Sequence, residues 1–382
     1  MGCADVSGMV GGSVRIVVLG NYAKSLVLFR GPLLSAFSKA GHEVIACAPE
    51  HDAATEAALQ YIGVRYCVMP VERAGINPVK DLIFLIRLVW WFRVLQPDVI
   101  LAYTIKPVIY GSLAAHLAGV RVTYSIITGL GYAFSGGTIK RRIVNGLVTR
   151  LYRAALKTNS TVFFQNPDDL MLFVSLHIVK ERNATLINGS CVDIRYYAQA
   201  PVDTRPIFLM ITRLLRDKGV VEYAEAAREV KSSHPHAVFR LLGPLDSNPS
   251  AISRSEVGAW QQEGMIDYLG TADDVRPFLR NASVYVLPSY REGTPRSVLE
   301  AMAMGRPIVT TDAPGCRETV VDGENGFLVP VKDAKALAAA MERFITDPQL
   351  IDRMGKRSRE IAEEKYDVEN VNAVIMKAMG LA

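Results

Sequence analysis

Two glutamates, Glu292 and Glu300, stand eight residues apart in the stretch SYREGTPRSVLEAMAMG and could bind two sets of hydroxyl groups. Gly293 and Pro295 do not fit inside a helix, so Glu292 is predicted in a loop and Glu300 in the helix that follows. The helix rises about 7–8 Å between Pro295 and Glu300. Its first amides, near residues 296–298, have no partners inside the helix and favour an anion between the carboxylates. That order suits a nucleoside diphosphate sugar; a solvated helix face is the alternative.

Two cations in ITRLLRDKG, Arg213 and Lys218, are predicted in the loop that follows a strand and precedes a helix. Helix-start amides and side-chain cations together attract phosphate oxygens. The loop therefore favours a phosphate-binding role, with a solvated basic loop as the alternative.

The elements that position these residues are short apolar runs that alternate with helical patterns. Buried strands are predicted at 14–20, 42–49, 97–103, 121–127 and 161–166, and after a join near 189–206 again at 206–214, 237–243, 266–270, 284–288, 307–311 and 326–330. Such alternation is typical of parallel sheets covered by helices on both faces. The predicted fold class is α/β, with two doubly wound Rossmann-like domains facing a central cleft. Ligands of such sheets bind beyond the carboxyl ends of the strands, which are at Gly20, Thr128, Arg213, Gly243 and Ser289.

Composition agrees with two folded domains. The chain has 382 residues, of which 50% are hydrophobic and 21% charged, and this excludes a disordered protein. A net charge of +5 is compatible with an anionic ligand or membrane surface but is too small to indicate nucleic acid. The five cysteines are scattered without a CxxC pair, which favours a reducing cytosol over disulfides or zinc. The first thirteen residues resemble a flexible leader and not a signal peptide.

The segment from Asp81 to Leu95 is the most apolar stretch, but arginines interrupt it, and no spanning helix is predicted. The simpler interpretation is a helix packed on a sheet. The alternative is a helix partly docked on a membrane surface, with Trp90, Trp91 and Phe92 at the headgroups.

The stretch EGTPRSVLE resembles the E-x7-E motif of the family 4 retaining glycosyltransferases, which have the GT-B fold. RLLRDKG resembles the family's diphosphate clamp, INGSCVD its interdomain turn, and TDAPGCRETVVDGENGFLVP the segment after the motif. The resemblance extends from about Val14 to Tyr366. It implies an acceptor-binding domain at 14–195, a nucleotide-sugar domain at 196–365, and a final helix at 366–382 that crosses back to the first domain.

The resemblance also implies roles for individual residues. Arg213 and Lys218 would neutralise the departing diphosphate, and Glu292 would contact the donor sugar. Glu300 would accept hydrogen bonds from the ribose. The remaining donor nucleotide contacts would be Thr294, Ser297, Val298 and Gly243. No cofactor or divalent metal is expected, because cations and helix ends replace it.

Three departures from the family pattern stand out. Cys191 replaces a usual glycine in GSCVD, and we expect the turn to differ slightly there. Thr212 replaces a common glycine before Arg213. Many relatives have a histidine near the donor sugar, but none of the six histidines lies at an obvious strand end.

The first half is predicted to bind the acceptor. Its candidates for binding the acceptor and the acceptor's phosphates lie in predicted turns, at strand ends or in a basic helix. That helix is interpreted as a membrane-surface element, and a solvated helix face is the alternative. They are Gly20, Asn21, Lys24, Thr104, Lys106, Thr128, Gly129, Arg141 and Arg142.

The segments TIKPVIYG and TGLGYAF resemble a subset of the family that transfers N-acetylhexosamines, N-acetylgalactosamine among them, onto polyprenyl-diphosphate-linked sugars. The resemblance implies a retaining, metal-independent transferase that uses a UDP-sugar donor and a lipid-diphosphate-linked sugar acceptor. It would work as a peripheral protein at the cytoplasmic face of the bacterial inner membrane, without nucleic acid. The alternatives are a UDP-sugar 2-epimerase, which would need no acceptor, and a non-catalytic sugar-nucleotide-binding membrane partner, which would not turn over.

Overall fold

A computed structural model of the chain describes residues 12–69, 77–130, 139–202, 205–246, 248 and 250–381, with the backbone alone at 78 and 139–143. The chain divides into two units. The first contains the residues up to Ile187 together with Glu369–Ala382, and the second contains Asn188–Val368.

The first unit is built on a seven-stranded parallel sheet of order β3-β2-β1-β4-β5-β6-β7. The central strands are continuous apolar runs, because helices cover both of their faces. The strands are β1 Arg15–Leu19, β2 Glu43–Ala48, β3 Arg65–Val68, β4 Val99–Tyr103, β5 Val122–Ile127, β6 Thr161–Phe164 and β7 Ala184–Leu186.

Eight α-helices belong to the described part of this unit. They are α1 Ala23–Leu28, α2 Gly31–Lys39, α3 Ala53–Tyr61, α4 Pro78–Leu95, α5 Ser112–Ala118, α6 Ile139–Leu156, α7 Pro167–Ser175 and the final helix, α14 Val368–Met379. The apolar residues 26–40 predict a single helix, and this prediction is wrong, because α1 and α2 are separate helices. The chain breaks between α1 and α2, where Gly31 and Pro32 begin a new helix because proline favours the first turn.

The second unit is built on a six-stranded parallel sheet of order β10-β9-β8-β11-β12-β13. Its strands are β8 Ile207–Ile211, β9 Val238–Leu242, β10 Asp267–Tyr268, β11 Val284–Leu287, β12 Ile308–Thr311 and β13 Gly326–Val329. Its helices are α8 Val220–Ser233, α9 Arg254–Gln262, α10 Arg276–Arg280, α11 Arg296–Ala303, α12 Ala334–Thr346 and α13 Gln349–Ile361.

Both sheets reverse their strand order at one place. In the first unit β1 pairs with both β2 and β4, and in the second β8 pairs with both β9 and β11. Crossovers leave the two central strands in opposite directions, so a crevice opens beyond their carboxyl ends. Residues that follow β1, β4, β8 and β11 are therefore placed where such sheets bind ligands.

The division after Ile187 lies eight residues before the domain boundary predicted at 195. The intervening turn pairs with the end of the second unit: Val192 N donates to Tyr366 O at 2.9 Å, and Val368 N donates to Val192 O at 3.0 Å. These main-chain bonds hold the turn to the second unit, which ends three residues later than predicted. Cys191 takes the left-handed conformation itself, with φ of 58°, so the positive φ that glycine favours is adopted here by a residue with a side chain.

Within the described residues, no helix combines the length and the apolar content that crossing a bilayer requires.

Candidate functional site

A buried ion pair lies at the strand-order reversal of the second unit. Lys218 ends the 3-10 turn Arg216–Lys218 after β8, and Glu292 lies in the loop after β11. Lys218 Nζ is 2.5 Å from Glu292 Oε1, and each side chain is only 16% exposed. Two of the three residues predicted to be catalytic, Lys218 and Glu292, 74 positions apart in the chain, thus meet in the crevice where α/β sheets bind ligands.

Main-chain hydrogen bonds hold the loops that carry this pair. Tyr290 N donates to Asp217 O at 2.9 Å, which ties the loop after β11 to the loop after β8. Glu292 N donates to Pro314 O at 2.9 Å, which ties it to the loop after β12. Three strand ends therefore fix the position of Glu292, and its carboxylate does not depend on one mobile loop.

Two glycines allow these loops to approach closely. Gly315 has φ of 82°, and a Cβ there would lie 2.2 Å from Glu292 O. Gly219, with φ of 75°, follows Lys218, and a Cβ there would lie 2.1 Å from Pro288 O. Neither position accepts a larger residue without moving the ion pair, since both conformations and both contacts require glycine.

Glu300 is buried inside α11 and has two side-chain partners. Tyr197 Oη and Arg296 Nε each donate to its Oε1 at 2.8 Å. Burial raises the pKa of Glu300, and the neighbouring Arg296 opposes the rise. Both of these bonds reach Oε1, and we expect Oε2 to be the oxygen that a ligand hydroxyl approaches.

The start of α11 differs in part from the prediction. Pro295 precedes the helix without a side-chain cap, as expected for an open helix start. However, Val298 N already donates to Pro295 O at 3.1 Å, so the idea that its amide lacks a partner is wrong. A tight first turn uses that amide internally. Ser297, half-buried, stays a candidate for phosphate contact.

Arg213, Gly243 and Thr294 lie in the loops that follow β8, β9 and β11. Arg213 is more than half exposed and donates from an η nitrogen to Asp246 at 3.1 Å. Gly243 is required by close packing, because a Cβ there would lie 1.7 Å from Thr212 O. Thr294 is buried, and its side chain occupies the space where a Cβ at Gly189 would fall. Their contacts with a nucleotide remain predictions.

In the first unit, Gly20 follows β1 and faces Tyr103 at the end of β4. A Cβ on Gly20 would lie 2.4 Å from the Tyr103 hydroxyl, which is 2.8 Å from Ser25 Oγ. Tyr103 is thus the residue whose close approach requires glycine at position 20. The approach of a ligand to Gly20 stays a prediction. Burial raises the pKa of Tyr103 to about 12, so its hydroxyl is neutral.

Thr104 and Lys106 follow β4 at the strand-order reversal of the first unit. Thr104 has φ of 68°, which is strained for a β-branched residue. Lys106 Nζ lies 2.8 Å from Asp81 Oδ1, and both side chains are largely buried. The charge of Lys106 is therefore already compensated, and a phosphate would have to replace Asp81 as its partner.

The other acceptor candidates are less constrained. Lys24 is exposed, Asn21 and Thr128 are half-buried, and Gly129 has φ of 116° after β5. Arg141 and Arg142 lie in the first turn of α6, but their side chains fall outside the described residues, as do Tyr132 and Phe134.

Two partners of the site were missed. Arg296 lies four residues before Glu300, a spacing that places an arginine beside a carboxylate on one helix face and could have been noticed. Tyr197 is 103 residues from Glu300 and carries no local signal.

Among the described residues, no group of three His, Cys, Asp or Glu side chains could hold a metal ion.

Comparison with known proteins assigns both halves of the chain. Residues 197–361 match the model of "Glycosyl transferases group 1", and residues 31–189 match the "Glycosyl transferase 4-like domain". An N,N'-diacetylbacillosaminyl-diphospho-undecaprenol alpha-1,3-N-acetylgalactosaminyltransferase of Campylobacter jejuni is 29% identical over 94% of this chain and 96% of its own length. A UDP-Gal:alpha-D-GlcNAc-diphosphoundecaprenol alpha-1,3-galactosyltransferase of Escherichia coli is 27% identical over 78% of each chain.

Solved structures share the fold. Anabaena HepE, crystallised with UDP and glucose, superposes with a TM-score of 0.76 at 19% identity, covering 96% of this chain and 99% of that one. Sucrose-phosphate synthase from Thermosynechococcus elongatus superposes with a TM-score of 0.77 at 19% identity, covering 95% and 97%. The predicted α/β fold of two doubly wound domains is confirmed.

Proposed function

The chain belongs to the glycosyl transferases, with a 4-like domain in its first half and a group 1 domain in its second, and we propose that it moves an N-acetylhexosamine from a UDP-sugar to a sugar carried on undecaprenyl diphosphate. N-acetylgalactosamine is the favoured donor sugar, because the Campylobacter relative that spans nearly the whole chain is an N-acetylgalactosaminyltransferase by name. The E. coli relative, a galactosyltransferase, also acts on a diphosphoundecaprenol acceptor by name.

The observation that carries this proposal is the Lys218–Glu292 pair at the reversal between β8 and β11. When the donor binds, Lys218 exchanges its ion pair with Glu292 for one with the donor diphosphate. The Glu292 carboxylate can then accept hydrogen bonds from the sugar hydroxyls. Arg213 turns from Asp246 towards the same diphosphate. Glu300 offers Oε2 to the ribose at the far end of the ligand.

The proposed reaction retains the anomeric configuration. No carboxylate is assigned as a nucleophile, so the acceptor hydroxyl attacks the face from which UDP departs. The C1–O bond to the β-phosphate breaks, and the departing phosphate oxygen takes the acceptor's proton. Lys218 and Arg213 stabilise the charge that develops on the diphosphate, a contribution that grows in the transition state. Because these cations supply the charge, we expect no divalent metal or other cofactor to be needed.

The acceptor's lipid places the reaction at a membrane. We propose peripheral association with the cytoplasmic face of the bacterial inner membrane, supported by the diphosphoundecaprenol acceptors that the two relatives' names state. The acceptor would enter by the first unit, near Gly20, Thr104 and Thr128.

A panel of UDP-sugars and undecaprenyl-diphosphate-linked acceptors, followed by mass spectrometry, tests the proposal. We expect the acceptor to gain one N-acetylhexosamine, with equal yield in the presence of EDTA. A 2-epimerase would convert the UDP-sugar without acceptor, and a non-catalytic binding partner would bind UDP without turnover. Either result would overturn the proposal.

A further inference from the structure

Helix α4 is apolar on two opposite faces, and only one of them is used by the core. Phe84, Leu88 and Phe92 are buried against the sheet of the first unit. The opposite face leaves six large apolar side chains exposed to solvent: Val79, Leu82, Ile83, Ile86, Trp90 and Val94. We call these six residues the outer face of α4. Trp90 is 67% exposed and Ile86 61%, which is unusual for a contiguous set in a soluble protein.

The outer face is continuous. At 100° per residue, its six side chains occupy an arc of roughly 120° of the helix circumference. Leu117, at the end of the neighbouring α5, is also more than half exposed, and its carbonyl accepts a hydrogen bond from Arg93 at 3.1 Å. The apolar surface therefore extends from α4 towards α5.

The exposed charges of the described part of α4 have one sign. Lys80 and Arg87 are exposed along one edge of the arc, and Arg93 is exposed within the arc, about 20° from its opposite edge, in the last turn of the helix. The one acidic residue of the helix, Asp81, is buried and paired with Lys106 at 2.8 Å. On the described residues of α4, apolar side chains accompanied by cations and by no exposed carboxylate match the boundary between acyl chains and anionic headgroups.

The neighbouring helix α6 adds cations but little apolar surface. Helix α5 packs against both α4 and α6. In the described part of α6 and just beyond it, Arg150, Arg153 and Lys157 are exposed, whereas Leu147 is the one large apolar side chain that is strongly exposed. Among its described side chains, from residue 144 onwards, the basic helix predicted as the membrane element thus lacks an exposed apolar face like that of α4.

We infer that the outer face of α4 inserts into an anionic bilayer at the level of the headgroups, with Trp90 among the acyl carbonyls and the flanking cations on the lipid phosphates. Tryptophan favours that depth, and arginine side chains extend to the headgroups from it. This inference rests on the proposed function only for its biological purpose, which is to bring the first unit to a lipid-linked acceptor. The docking surface itself follows from exposure and charge.

Vesicle flotation tests the inference with the full chain. Wild type should float with vesicles of phosphatidylglycerol and phosphatidylethanolamine, and much less with phosphatidylcholine alone. Ile86→Glu should weaken flotation by about tenfold or more, since it removes one inserted aliphatic side chain and adds a charge. Arg87→Gln should weaken it by about fivefold. The matched control is Tyr61→Glu, which adds the same charge at a fully exposed aromatic on α3.

Two further measurements separate the outcomes. Brominated lipids should quench the fluorescence of wild type more than that of Trp90→Phe, and Ile86→Glu should keep wild-type turnover on a water-soluble short-chain acceptor. Equal flotation of Ile86→Glu and Tyr61→Glu would overturn the inference. So would a wild-type dimer in sedimentation that Ile86→Glu dissociates, because the face would then bind a second copy. If no acceptor is glycosylated but flotation behaves as stated, the proposed function fails and the docking surface stands.

Discussion

At the scale of single residues, the proposed mechanism requires cations to change partner. Lys218 and Glu292 neutralise each other at 2.5 Å, and Arg213 has Asp246 at 3.1 Å. A diphosphate that enters would compete for both cations. On this proposal, the paired arrangement would keep the charges compensated until the donor binds, and this would avoid leaving a largely buried charge alone.

Glu300 gives a prediction on pH. Its pKa is raised above 4.5, chiefly by burial. As the pH falls through the raised pKa, Glu300 takes up a proton, so UDP should bind less tightly because the ribose hydroxyls lose a charged acceptor. Glu300→Gln should bind UDP about tenfold more weakly at neutral pH and lose this part of the acid dependence. Isothermal titration of UDP between neutral and weakly acidic pH measures both effects.

Acidification should affect the folding stability and the UDP binding of Glu300 in opposite directions. The folded state holds the Glu300 proton at pH values where the unfolded chain has lost it, so ionised Glu300 costs stability above the raised pKa, and the cost disappears on acidification. Glu263→Gln, at an exposed pair with Arg228, is the control. Identical acid dependence of UDP binding in Glu300→Gln and wild type would refute the ribose role.

The sequence was informative for residues whose role follows from a local pattern. The E-x7-E spacing and the strand–loop–helix context predicted where Glu292 and Glu300 lie, and RLLRDKG predicted the cationic loop. It was not informative where a long-range partner decides the state of a residue. Lys106 is neutralised by Asp81, and Glu300 is bonded to Tyr197, and no local pattern connects these pairs.

At the scale of elements, glycines let the loops after β8, β11 and β12 pack together. Gly315→Ala should displace the loop of Glu292, because the new Cβ would lie 2.2 Å from Glu292 O. We expect turnover to fall by roughly 10²-fold, as displacement of a reacting group by about 1 Å commonly causes. Steady-state kinetics with saturating UDP-sugar measures the loss.

Gly323→Ala is the matched control for Gly315→Ala. Gly323 has φ of 80°, close to the 82° of Gly315, but no atom lies within 4 Å of its Cβ position. It should lower the free energy of unfolding by about 1–2 kcal/mol through backbone strain and leave turnover unchanged. If both variants lose turnover equally, backbone strain and not the position of Glu292 is responsible.

The central strands were predictable because buried parallel strands are continuous apolar runs. Edge strands were not: β3 contains the exposed Arg65 and Val68, and β7 has only three residues, so neither stands out from a loop. The sequence of helix α4 was also not sufficient to predict which of its faces packs in the core. Its apolar residues surround the helix, and only the structure separates the face used by the core from the outer face.

At the scale of the whole molecule, the C-terminal residues Glu369–Ala382 belong to the first unit. Helix α14 buries Val371, Ile375 and Met379, and the Tyr124 hydroxyl donates to Met379 O at 3.1 Å. The last residues are thus part of a domain that begins at the other end of the sequence. The sequence predicted that residues 366–382 cross back to the first domain, and the structure assigns Glu369–Ala382 to the first unit.

Ile375→Ala should therefore destabilise the first unit. Ile375 is 1% exposed, and truncation of a buried isoleucine lowers the free energy of unfolding by about 2–5 kcal/mol. Val374→Ala, at the half-exposed neighbouring position, should change it by no more than about 0.5 kcal/mol. Urea denaturation followed by circular dichroism compares them. Equal effects would mean that α14 contributes little to the folded first unit.

The most direct test of the central claim is the turnover of Lys218→Ala beside that of Arg216→Ala. The two cations share one 3-10 turn, but Lys218 is only 16% exposed and paired with Glu292, whereas Arg216 is half exposed and paired with Glu256 at 2.5 Å. With a UDP-N-acetylhexosamine and an undecaprenyl-diphosphate-linked acceptor, Lys218→Ala, like Glu292→Ala, should be folded and slower by roughly 10²-fold or more. Arg216→Ala should keep nearly wild-type turnover. Near-normal turnover in Lys218→Ala, or an equal loss in Arg216→Ala, would contradict the claim that sugar transfer occurs at the Lys218–Glu292 pair.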